Sequence, residues 1–112
     1  VITKMGRNLS QVTESRATVT ITADHSILSG EILLLDTTAG TILTVTLPAN
    51  PRPADRVNLV DVAGQCGTTK VIVARNGNKI ANLAEDLDFD IKNASLELIY
   101  TGSTYGWSIL SN

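Results

Sequence analysis

The sequence predicts an all-β domain: a small antiparallel β-sandwich, jelly-roll-like in organisation, or a barrel, with a short N-terminal arm. Three observations carry this. Ten Ile, nine Val and fourteen Thr stand among 112 residues, and β-branched side chains favour a pleated surface over a helix. Apolar residues alternate with polar ones, or form blocks of strand length, at about ten-residue intervals. Between the blocks stand Gly, Pro and an Asn-Gly pair, the residues that turn a chain.

The length fits one domain, which can bury roughly two-thirds of its unfolded surface without staples. With one Phe, one Trp and two Tyr, the core must be aliphatic. Residues 1–17 form the arm or a short trimerising segment, and residues 18–112 the β-domain. In the arm, Ile2, Met5, Leu9 and Val12 follow an a/d spacing for less than two heptads, interrupted by Gly6. That pattern suits an extended leader, the tail of a short coiled coil, or an arm packed on a neighbouring subunit.

The elements follow in order. Residues 18–22 alternate as Thr, Val, Thr, Ile, Thr, the period-2 mark of a half-buried strand. Residues 23–30 read as a turn that places His25 at the surface. Residues 31–36, EILLLD, form a continuous apolar run and predict a strand buried on both faces. After a turn at Gly40, residues 41–47 make the next strand. Pro48, Pro51 and Pro53 then bound a loop, because each fixes φ near −65° and removes a backbone donor. Residues 56–62 alternate with Val57, Leu59 and Asp61 on one face. A glycine-rich turn holding Cys66 leads into a strand at 69–75. Asn76-Gly77 is a hairpin signal that should return the chain through residues 79–81. Strands at 95–100 and 107–110 close the chain.

Chemistry is sparse. Nine Lys and Arg against eleven Asp and Glu give a net charge of −2, scattered along the chain, so no clustered basic face offers itself to nucleic acid. No apolar run approaches the ~20 residues that a membrane-spanning helix needs. One His and one Cys make no conventional zinc site. Cys66 has no basic neighbour to activate its thiol and no partner for an intrachain disulfide. On a strand, Asp86, Asp88 and Asp90 share one face. Such a flat row does not surround a calcium ion with six to eight oxygens. Nucleophile elbow, P-loop and dinucleotide fingerprint are missing. We therefore expect no catalytic residue, metal or cofactor. The aromatics Tyr100, Tyr105 and Trp107 gather near the C-terminus. They suit a glycan or partner contact, or in the case of Trp107 a plug at one end of an aromatic-poor core.

The ordered set GEILLLDTTAGTILTVTLPANP, DRVNLVDVAG, KVIVARNGNKI and LELIYTGSTYGWSIL resembles a β-module of tail-fibre and tailspike proteins from tailed bacteriophages. The resemblance covers residues 30–110. One departure is Pro53-Ala54-Asp55, where the family more usually has Gly before the Asp. The resemblance implies a non-enzymatic virion module, a homotrimer that binds other virion structural proteins and is assembled in the host cytoplasm. It leaves two alternatives: a capsid decoration protein on three-fold axes, or a module that recognises a host surface glycan.

Overall fold

A computed structural model describes residues 17–111. The heptad-like stripe from Ile2 to Val12 lies outside the described residues. The described chain contains nine strands and no helix: β1 (Thr18–Ile21), β2 (His25–Ser26), β3 (Ile32–Leu35), β4 (Leu43–Thr46), β5 (Arg56–Asp61), β6 (Val71–Ala74), β7 (Leu87–Phe89), β8 (Ser95–Tyr100) and β9 (Trp107–Ser111). They form a five-stranded sheet, β1-β3-β5-β8-β9, and a four-stranded sheet, β2-β4-β6-β7. The all-β sandwich expected from the sequence is present as two sheets that do not close into one barrel.

Strand direction departs from the expectation. β1–β3, β3–β5, β2–β4 and β4–β6 are all parallel. Only β5–β8, β6–β7 and β8–β9 are antiparallel. Both sheets are therefore mixed, and the antiparallel jelly-roll reading is corrected. Parallel neighbours need a crossover connection. Here each crossover is a strand of the opposite sheet. The chain goes β1, across to β2, back to β3, across to β4, back to β5 and across to β6, winding three times before β7, β8 and β9 close it. Period-2 alternation reports which face is buried and is silent on direction, so the winding was invisible in the sequence.

The burial follows the pleat. Leu33, Leu35, Val57, Leu59 and Leu98 of one sheet, and Val45, Val71 and Val73 of the other, are all fully buried between the sheets. The registers stack them into rows such as Val19–Leu33–Leu59–Leu96 and Leu43–Val71–Phe89. The run at 31–36 was expected to be buried on both faces. The structure buries Leu33 and Leu35, while Ile32 and Leu34 sit half-buried on the outer face. Val60 and Ile99 lie half-buried on the same outer face.

Trp107 is the largest fully buried side chain. Its ring lies 5.3 Å from that of Tyr100, tilted by 59°, within the range for favourable aromatic pairs. Gly106 makes this seat accessible. Its φ is +75°, and a Cβ there would collide with the backbone of Lys79. The Trp107 backbone N–H donates to Lys79 O at 2.7 Å, and the Ala81 backbone N–H donates to Trp107 O at 2.7 Å.

Candidate functional site

Three regions gather the polar chemistry and the exposed apolar surface. The first is a knot centred on Asp61. Val57, Leu59 and Asp61 share the inward face of β5, as the alternation predicted, so the carboxylate is driven into the sandwich and is only 3% exposed. A buried carboxylate must be hydrogen-bonded. Its Oδ1 accepts from Gln65 N at 3.2 Å, and its Oδ2 accepts from Cys66 N at 3.1 Å and Asn93 N at 2.9 Å. Burial pushes the Asp61 carboxyl upward, but the N–H donors of Asn93, Cys66 and Gln65 outweigh it and hold the group below its ordinary value. Cys66 is fully buried beside it. Burial first, then the hydrogen bond and negative charge of Asp61, push its thiol up to about 12. A thiol held protonated in this way is a poor nucleophile. The knot ties β5 to the turn after it and to the β7–β8 connection.

The second region is a bridge between the sheets at β2. The sequence placed His25 in a surface turn. In the structure it belongs to a two-residue strand, half-buried, with Nε2 3.0 Å from Glu31 Oε1. Glu31 is buried, and the same oxygen accepts from Leu28 N at 2.8 Å. A strand of two polar residues leaves too short a pattern to read, so this pair had no sequence signal.

The third region is an apolar groove between the edges of the two sheets. β7 and β9 are the end strands of their sheets on one side of the sandwich. Between them lies a groove of about 150 Å³ with Leu87, Phe89, Ile91, Leu96 and Ile109 in its walls. Ile91 is 66% exposed and Ile109 41%. Asp88 and Asp90 border it. Asp88 pairs with Lys70 at 3.1 Å.

The residues singled out by sequence are dispersed. Tyr100 and Trp107 are buried together in the core, with the Tyr100 hydroxyl 3.2 Å from Asn78 Oδ1, while the Tyr105 ring is exposed. Pro48 and Pro51 are half-buried and Pro53 exposed in the loop that carries the chain from β4 to β5, that is, from one sheet to the other. Ala54 in this loop has φ +78°, a conformation that suits the Gly found more usually in the resembling modules. Asn76 and Gly77 both have positive φ, and Asn78 N–H donates to Arg75 O at 3.3 Å across the turn. The Asn76 amide also donates to Leu47 O at 3.0 Å, linking this turn to the head of the proline loop. The chain leaving the turn does not return along β6. Ile80 bridges to Trp107, and β6 pairs with β7 instead.

Among the described residues no group of three or more His, Cys, Asp or Glu is placed to hold a metal ion. No described helix is long and apolar enough to cross a membrane. The Asp row is broken up: Asp86 accepts from Arg75 N at 2.9 Å, and Asp88 is the Lys70 partner.

No family model matches the chain. Over 58 residues, 52% of its length, it is 33% identical to the long-tail fiber proximal subunit of Enterobacteria phage T4. The chain spans only 4% of that protein's length. Among solved structures it is similar to one described as a chaperone-substrate complex, with a TM-score of 0.44 at 13% identity, covering 87% of this chain and 14% of the other. Part of the sequence is thus similar to a phage tail-fibre subunit.

Proposed function

We propose that the chain is a structural, non-enzymatic module of a phage tail fibre or tailspike. It works as a homotrimer that joins or spaces other virion proteins. The observation that carries this reading is the 33% identity over 58 residues to a long-tail fibre subunit. The fold supports it. The winding of β1 to β6 makes a stiff two-sheet body, and its buried polar groups are spent on holding that body together. Asp61 knots three backbone N–H groups and Glu31 binds one. The half-buried Ile32, Leu34, Val60 and Ile99, which share the outer face with Asn58 and Glu97 interspersed, give a neighbouring chain apolar surface to cover.

Location tests the reading. Gold-labelled antibody raised against the chain should decorate the tail fibres or spikes of intact particles in electron micrographs. Label on the capsid would replace the fibre reading with capsid decoration. Particles that remain unlabelled, although the antibody binds the purified chain, would overturn the virion role.

A further inference from the structure

We infer that residues 1–16 of one copy dock in the β7–β9 groove of the next, with Met5 as the anchor, and so tie the assembly into a closed ring. The inference rests on the homotrimer proposed above.

The groove has the right size and chemistry for one apolar anchor. A space of about 150 Å³ matches a cavity that takes up a benzene-sized group, which is close to a Met or Leu side chain. Its walls are aliphatic and aromatic, and Met adapts to irregular apolar space. Two exposed wall residues, Ile91 and Ile109, would be covered by the occupant.

Charge selects the segment. The stretch 85–90 carries Glu85, Asp86, Asp88 and Asp90 and no basic residue. Lys70 reaches Asp88 alone, and Asp90, at the groove, has no hydrogen bond or ion pair among the described residues. Residues 1–16 carry Lys4, Arg7 and Arg16 against Glu14. Lys4 and Arg7 flank Met5, so seating Met5 brings two cations to the acidic border.

The proposed trimer selects the neighbouring copy, and the topology permits it. The segment departs from Ala17, whose carbonyl is fixed by Ile32 N at 2.9 Å, beside β1 at one edge of the five-stranded sheet. The groove lies at the opposite edge, beside β9. Donor and acceptor on opposite edges make a head-to-tail contact, which closes into a ring when the rotation allows it. Twelve residues from Ala17 to Met5 span up to about 40 Å. The sheet is four strand spacings wide, roughly 19 Å, so the arm is long enough for its own groove and for the next copy's, and the proposed trimer favours the latter.

Disulfide trapping tests the inference. Met5→Cys and Ile109→Cys chains are co-expressed and mildly oxidised. The native Cys66 is fully buried and does not compete. A covalent dimer on a non-reducing gel is expected, and the double variant should give dimers and trimers. Loss of these bands is expected when Asp90→Lys is added. The control pair Met5→Cys with Tyr105→Cys, an exposed position in the turn before β9 that does not line the groove, should give none. A disulfide confined within single chains, or yields equal to the control, would overturn the docking. Sedimentation of the unmodified chain separates the two readings. A trimer without the Met5–Ile109 link removes only the docking, whereas a monomer removes the trimer as well.

Discussion

The Asp61 carboxylate accepts the backbone N–H of Asn93 at 2.9 Å, across 32 positions of sequence. With its bonds to Gln65 and Cys66, one side chain fixes the end of β5, the following turn and the approach to β8. Replacing Asp61 with Ala strands three N–H donors. At about 1–3 kcal/mol for each buried donor left unpaired, the variant should lose on the order of 3–5 kcal/mol in urea unfolding. Asp61→Asn keeps an acceptor oxygen and should lose less.

Acid should unfold the domain through the same group. The folded-state pKa of Asp61 is lowered, so its stabilisation is fully present above its ordinary value of 3.8 and is lost as pH falls through the lower folded value. Urea midpoints measured from pH 6 down to pH 2 should decline below about pH 4. The decline should be shallower in Asp61→Asn.

Alkali should act through Cys66. Its folded pKa is raised from 9.0 to about 12, so its contribution is complete below pH 9.0 and is lost as pH climbs towards 12. At pH 8 a thiol-reactive dye should leave the folded chain unlabelled and label it once unfolded. Rapid labelling of the folded state would contradict the buried, protonated thiol.

Gly106 and Gly77 separate two reasons for a glycine. Both have positive φ, but a Cβ at Gly106 meets the Lys79 backbone, whereas nothing lies within 4 Å of one at Gly77. Gly77→Ala should cost about 1 kcal/mol, from backbone strain alone. Gly106→Ala must also displace Lys79 and unseat Trp107, and should cost about 3 kcal/mol or more. Thermal melting of the two variants side by side checks the difference.

The strands themselves were legible. The alternation at 56–62 placed Val57, Leu59 and Asp61 on one face, and all three point inward. EILLLD announced β3, although its second face finds only partial cover within one chain. Two things were hidden for physical reasons. Strand direction depends on where the chain crosses between sheets, and side-chain alternation carries no trace of that. The His25–Glu31 bridge belongs to a strand of two residues, too short for any periodicity. The Asn76-Gly77 turn has the positive φ values that its sequence invites. The strand that pairs with β6 nevertheless comes from residues 87–89, because Ile80 is drawn instead to Trp107. The aromatic trio was read from proximity in sequence, and the structure divides it between core and surface. The β7–β9 groove joins residues from separate parts of the chain, so no local motif could mark it.

Mass in solution decides whether this chain assembles as proposed. Sedimentation equilibrium at micromolar concentration should give three times the 11.9 kDa chain mass. A single species at 11.9 kDa would mean that the chain does not assemble and would overturn the trimer.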